Sequence, residues 1–211
     1  MPKATIGNYT YRFEDGAADV TVLALHSTGG DEDQLVDIVR DLAPEAAVIS
    51  PRGNVLEGGT VRRFFARFAE GRLDLDDMRA KGDEIAVFTA EALAAHGRDP
   101  ARVIALGYSN GANVAVDLLL RHPGLLRGAA LLRPMLPYTP DPLPSLAGTS
   151  VLVASGEHDP LIPPGEDEQL ARLLADAGAE VQLSRQPTGH QLTAGDFTAA
   201  KQWLESIPGW Q

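Results

Sequence analysis

A serine hydroxyl becomes a nucleophile when a base takes its proton, and the base works best when an acid fixes its tautomer. Residues 107–111 read Gly-Tyr-Ser-Asn-Gly, with Ser109 at the centre. They follow the apolar run "RVIAL" and precede "ANVAVDLLLRH", whose apolar residues recur at helical spacing. A strand turning sharply into a helix brings the residues two before and two after the serine together, where a β carbon would clash, so glycine belongs at 107 and 111. Ser109 would stand above the sheet at the positive end of the following helix. The chemistry this suits is attack on an acyl carbonyl.

Five histidines are candidates for the base. His96 and His122 sit at helix ends, far from the tips of strands. His26 ends an early strand, His158 lies beside Asp159, and His190 stands in "PTGHQLT" after the last strand. Around a G-x-S-x-G turn of the α/β-hydrolase type, the partners follow in the order serine, acid, histidine. Asp159 follows the strand "SVLVAS" and takes the place of the acid. His190 is then the base, and His158 reads as a polar loop residue. Attack puts negative charge on the former carbonyl oxygen, which backbone N–H groups stabilise. Asn110, after the serine, is expected to give one. Thr28, in the loop "HSTGG" with Gly29 and Gly30, is expected to give the other.

These residues need a frame that gathers them. Strands are expected at about 9–13, 20–25 and 46–51, then in "RVIALGYS", "LRGAALLRP", "TSVLVASG" and "EVQLSRQ". Helices are expected in "QLVDIVRDLA", capped by Asp31 or Asp33, from about 76 to 96, after Ser109, in "EDEQLARLLADAG" closed by Gly178, and in "TAGDFTAAKQWLES". The alternation predicts an α/β fold: about seven strands, mostly parallel, with helices on both faces. Active-site loops of such sheets lie at the carboxyl ends of the strands, where "HSTGG", "GYSNG", "RPMLP", "SGEHDP" and "PTGHQ" all fall. The glycine-rich, aromatic-rich stretch from Arg52 to Asp77 shows no clean period and is long for a plain connection.

The 211 residues and 44% hydrophobic content suit one domain over 1–211. A net charge of −11 opposes binding to nucleic acid or to anionic membranes. The absence of cysteine excludes disulfides, thiolate metal sites and a thiol nucleophile. With neither a signal-peptide core nor an apolar run of membrane-spanning length, the chain is expected to be cytoplasmic, without membrane insertion. The serine chemistry calls for no metal or other cofactor.

The segments "HSTGGDEDQL", "PRGNVLEGGTVRRFFARFAEG", "GYSNGANVA", "RPMLP", "SGEHDPLIP" and "GHQLT" resemble the phospholipase/carboxylesterase family of α/β-hydrolases. Within it the similarity is to a bacterial carboxylesterase-like group linked to hydroquinone and quinone stress. The resemblance implies an α/β-hydrolase fold with a minimal lid, a Ser109–Asp159–His190 triad and an esterase or thioesterase of small acyl substrates. A homodimer is plausible through the resemblance alone. It also implies that the stretch from Arg52 walls the pocket. Phe64, Phe65, Met135 and Leu136 are expected to line that pocket or to pack in the core, and His26 and Gly29 to lie beside the substrate. Arg52 would meet a polar group of the substrate or pair with an acidic side chain. Relatives usually carry glycine where Ser27 stands, a departure that bears on the Thr28 donor. A lysophospholipase or acyl-protein thioesterase with a longer groove is an alternative, as is a non-catalytic ligand-binding domain on the same fold.

Overall fold

The computed structural model describes residues 3–209. In chain order the elements are β1 (Ala4–Ile6), β2 (Tyr9–Glu14), β3 (Thr21–Leu25), α1 (Val36–Leu42), β4 (Ala47–Pro51), β5 (Val55–Glu57), β6 (Val61–Arg63), β7 (Arg67–Ala69), β8 (Arg72–Leu73), α2 (Leu75–Ala95), β9 (Val103–Tyr108), α3 (Asn110–Arg121), β10 (Gly128–Leu132), β11 (Ser150–Gly156), α4 (Glu166–Asp176), β12 (Glu180–Gln186) and α5 (Ala194–Ser206). Eight strands form one sheet in the order β1-β2-β4-β3-β9-β10-β11-β12. The first two pairings are antiparallel; those from β4 to β12 are parallel.

The central strands are apolar on both faces, and their period of two divides the core in two. Leu23, Leu25, Ala105, Leu131, Val151 and Val153 pack with side chains of α2, α3 and α4. Their neighbours Val22, Ala24, Ile104, Leu106, Ala130, Leu132, Leu152 and Ala154 pack with α1 and α5. Helices therefore cover both faces, as the alternation of elements predicts. After β3 the chain moves outward to β4; with β9 it returns to the other side of β3. The order thus reverses between β3 and β9, the place where open α/β sheets hold their ligands.

The eight-stranded, mostly parallel sheet agrees with the expected fold, its first strand, β1, being a short, largely exposed segment that pairs with β2 across the turn at Gly7 and Asn8. Some details differ. Neither Asp31 nor Asp33 caps α1. Leu35 occupies the N-cap with no side-chain bond, and the Asp31 carboxylate instead accepts from the Asp33 N–H at 3.0 Å within the preceding turn. The stretch from Arg52 contains two antiparallel ribbons, β5–β6 and β7–β8. Each strand is too short for its alternation to show in sequence.

Trp203 of α5 is among the largest fully buried side chains, and its indole N–H donates to Ser150 Oγ at 2.9 Å. It seals α5, the helix after the His190 loop, against the sheet. Trp203→Ala is expected to cost about 3–5 kcal/mol, read as a lower urea midpoint with an unchanged slope.

Candidate active site

Ser109, between β9 and α3, has φ 52° and ψ −111°, a strained conformation for a residue with a β carbon. Two glycines permit the turn. A β carbon on Gly107 would come 2.6 Å from the Gly111 carbonyl oxygen, and one on Gly111 would come 2.0 Å from the Leu25 carbonyl oxygen. Since real β carbons do not approach backbone this closely, α3 can lie against the end of β3 only with glycine at 111. The Ser109 N–H donates to the Leu132 carbonyl at 2.8 Å, tying the turn to β10.

Three distant segments meet at this turn. His190 Nε2 lies 2.8 Å from Ser109 Oγ, and His190 Nδ1 lies 2.7 Å from Asp159 Oδ2. The second Asp159 oxygen accepts from the Leu161 N–H at 3.0 Å, and the Asp159 side chain is almost wholly buried. A carboxylate can only accept, so Nδ1 carries the proton and Nε2 is free to accept from the serine hydroxyl. His190 reaches this place because its loop presses on the end of β11. A β carbon on Gly156 would lie 2.2 Å from the Gly189 carbonyl oxygen. His158 is exposed, and its N–H donates to the Thr188 carbonyl at 2.9 Å. His96 stacks on Phe13 and bonds the Tyr11 hydroxyl, whereas His122 pairs with Asp83. Neither takes part.

The loop after β3 is held from several sides. The Gly29 N–H donates to the Arg62 carbonyl at 2.8 Å, and the Thr28 hydroxyl accepts from Arg63 at 2.8 Å. The Ser27 N–H donates to Gln34 Oε1 at 2.8 Å, and the Ser27 hydroxyl lies 3.0 Å from Gln34 Nε2. Ser27 is thus buried in a polar pairing with Gln34. The Asn110 side-chain oxygen accepts from the Phe64 N–H at 2.8 Å, joining the residue after β6 to the serine turn. Among the described residues the N–H groups of Thr28 and Asn110 have no acceptor.

The outer residues expected near a substrate divide. His26 is fully buried. It accepts from the Gly53 N–H at Nε2 (2.8 Å), leaves Nδ1 to donate to the Ser27 carbonyl (2.7 Å) and stacks on Phe64. It therefore supports the loop from behind and has no polar atom left for a ligand. Arg52 is paired through two nitrogens with the buried Glu32, which also meets Lys3. Burial pushes the Glu32 carboxyl up, and these two cations outweigh it, holding it at about 2. Phe64 and Phe65 are fully buried in the core. His26, Phe64 and Phe65 thus lie in the core behind the loops, and Arg52, partly open, pairs with an acidic side chain. Met135 and Leu136 stay partly open after β10; their N–H groups donate to Asn113 and Glu166. Gly29 is exposed.

Arg63, Arg133, Tyr108 and Gln34 were not identified from sequence. Arg63, almost wholly buried, also donates to the Phe65 carbonyl at 3.0 Å. A charged residue closing the otherwise apolar run "GAALLR" was the available sign for Arg133. Among the described residues no group of three or more His, Asp or Glu side chains could hold a metal ion, and no helix is long and apolar enough to cross a membrane.

Comparison with known proteins places this chain among hydrolases. The family model for phospholipases and carboxylesterases matches residues 81–207. The chain is 41% identical over 193 residues to the putative hydrolase MhqD of Bacillus subtilis, covering 92% of this chain and 96% of that protein. The crystal structure of the Bacillus cereus carboxylesterase superposes with a TM-score of 0.91 at 40% identity, covering 94% of each chain. A carboxylesterase from Mesorhizobium loti superposes with a TM-score of 0.89 at 35% identity, over 97% of this chain and 98% of that one.

Burial holds the His26 imidazole down at about 4, whereas the unfolded chain binds the proton near about 6.5. Between those values the unfolded state carries more protons, so stability present above pH ~6.5 is lost as pH falls towards 4. That loss is on the order of 3 kcal/mol. Urea unfolding from pH 7 to 4 should show it in the natural protein, and His26→Asn should be less stable at pH 7 but flatter across the window. Parallel curves for the two proteins would show that His26 is not the source.

Proposed function

The chain belongs to the phospholipase/carboxylesterase family, and from that premise we propose that it hydrolyses small carboxylic esters through Ser109, His190 and Asp159. The contact that carries this reading is the 2.8 Å approach of His190 Nε2 to Ser109 Oγ, with Asp159 2.7 Å from the opposite ring nitrogen. The carboxylesterases it resembles along nearly their whole length support the reaction class.

In the first step Ser109 Oγ attacks the ester carbonyl carbon while His190 takes the hydroxyl proton at Nε2. Negative charge gathers on the carbonyl oxygen, where the N–H groups of Thr28 and Asn110 stabilise it. Asp159 keeps the proton on Nδ1 and stabilises the imidazolium that forms. The carbon–oxygen bond to the leaving alcohol then breaks, and His190 returns its proton to that oxygen. Water repeats the sequence on the acyl-enzyme: it gives its proton to His190, releases the acid and restores Ser109.

The preference for small substrates rests on the modest cover over this end of the sheet. Residues 52–73 contribute only two short ribbons, with Arg63 of β6 bonded to Thr28 and the following Phe64 bonded to Asn110. Met135 and Leu136 supply apolar surface from the opposite side, after β10.

A fluorophosphonate probe should label Ser109 with loss of fluoride, and Ser109→Ala should stay unlabelled while remaining folded. Hydrolysis of p-nitrophenyl acetate should fall on the order of 10⁴-fold or more in kcat in that variant. Unlabelled natural protein would instead indicate a ligand-binding role. Asp159→Asn is expected to lower kcat by up to about 10⁴-fold, because the Nδ1 proton loses its acceptor. Across p-nitrophenyl esters of increasing acyl length, kcat/KM should fall beyond the short chains. A rise towards long chains would shift the reading to a lysophospholipase or thioesterase.

A further inference from the structure

The base of a serine hydrolase must be held to a fraction of an ångström, yet His190 lies on a seven-residue connection, 187–193, between β12 and α5. What holds that connection is largely one side chain. Arg133 follows β10, is fully buried and has φ 56°, an uncommon conformation for an arginine. Its five N–H groups make five hydrogen bonds: Nε to the Gly189 carbonyl at 3.2 Å, Nη1 to the Ala154 carbonyl at 3.1 Å and Asp196 Oδ1 at 2.8 Å, and Nη2 to the Gln191 carbonyl at 2.9 Å and Asp196 Oδ2 at 2.9 Å. The guanidinium is thus saturated. It grips the residue before the base and the residue after it. The carbonyl between them, that of His190 itself, accepts from the Tyr108 hydroxyl at 3.0 Å, and the Tyr108 ring lies beside the imidazole with centroids 5.7 Å apart.

Asp196 completes the device. It is fully buried, and its Oδ2 also accepts from the Thr193 N–H at 2.8 Å and lies 3.0 Å from the Thr193 hydroxyl, in the capping box that starts α5. One carboxylate therefore joins the arginine to the helix that ends the base loop. A buried ion pair is a poor source of stability, since apolar residues of similar volume commonly serve as well or better. A conformation unusual for arginine and a fully used fork, both directed at the flanks of one histidine, point to geometry as the purpose.

We propose that Arg133, assisted by Tyr108, is a positioning residue for His190, setting the imidazole between Ser109 and Asp159 through the three consecutive carbonyls of Gly189, His190 and Gln191. The proposal rests on the reading of His190 as the base. Neither side chain touches the reacting atoms. Their contribution is to limit the excursions of the loop, and misplacement of about 1 Å in a catalytic group can cost on the order of 10²-fold in rate.

The test compares the natural protein with Tyr108→Phe, Arg133→Lys and Asp196→Asn. It uses p-nitrophenyl acetate, the rate of fluorophosphonate labelling, the number of labelled sites, and the low-field proton resonance of a histidine N–H bonded to a carboxylate. Tyr108→Phe should lower kcat about fivefold and Arg133→Lys about 10²-fold, with KM within about twofold. Labelling rates should fall in step, the number of labelled sites should stay equal, and the low-field resonance should broaden or shift. Should Arg133→Lys fail to fold, Tyr108→Phe and Asp196→Asn decide. Folded variants with unchanged kcat overturn the proposal, as does a loss that appears only as fewer labelled sites at an unchanged rate per site. If the natural protein itself is not labelled, the hydrolase reading falls and the proposal with it.

Discussion

The contact between the Gly111 α carbon and the carbonyls that end β3 governs the site. With no β carbon at 111, the first turn of α3 lies directly on Leu25 and His26. That contact fixes Ser109 in its strained conformation beside the loop of Thr28. It joins the two strands between which the sheet reverses its order, so the crevice opens beside Ser109, the proposed nucleophile. A larger residue would separate α3 from β3 and move the Asn110 N–H away from that of Thr28. The sheet supplies the scaffold, and this single close approach converts it into a site.

Charge is distributed with a similar economy. The protein is acidic overall, with a net charge of −11. Nevertheless two arginines lie buried beneath the working loops, Arg63 under the Thr28 loop and Arg133 under the His190 loop. Arg63 directs a donor at the Thr28 hydroxyl, and Arg133 directs donors at backbone carbonyls of the His190 loop. Arg133 has a buried carboxylate beside it, whereas the carboxylate nearest Arg63, that of Glu57, is 3.8 Å away. Burial, then the charge of nearby Arg67, lowers the Arg63 guanidinium from its usual value. Planar forks with several fixed donors suit this task, because one side chain can bind carbonyls that face different ways.

The features legible in sequence were those written locally. Apolar runs, their periods and the glycines around Ser109 identify the parallel sheet, its helices and the turn with few residues each. The order of Ser109, Asp159 and His190 along the chain sufficed to name them, and the fold brings their side chains within hydrogen-bond reach. What escaped was decided by distant partners. Nothing next to His26 in sequence shows that Gly53 and Phe64 will enclose it, nor does Arg52 reveal its pairing with Glu32. The aromatic pair Phe64 and Phe65 reads equally well as pocket or as core, and tertiary packing puts both inside. Strand β1 and the two ribbons were missed because two or three residues carry no period. Arg133 was the hardest to read, since all its partners lie more than twenty positions further along the chain or, like Asp196, serve visibly as a helix cap.

The position of β12 at the rim of the sheet has a further bearing on how this molecule is built. A marginal strand is bonded along one side only, while its other flank meets solvent. The connection bearing His190 hangs from that margin. Ties from Arg133 reach it across β11, and Gly156 lets it settle against the neighbouring strand. The proposed base is therefore suspended from an edge of the framework and anchored inward, away from the strand that delivers it. Substitutions along the outer flank of β12 consequently act on the periphery, while the alignment of the imidazole is decided two strands further in.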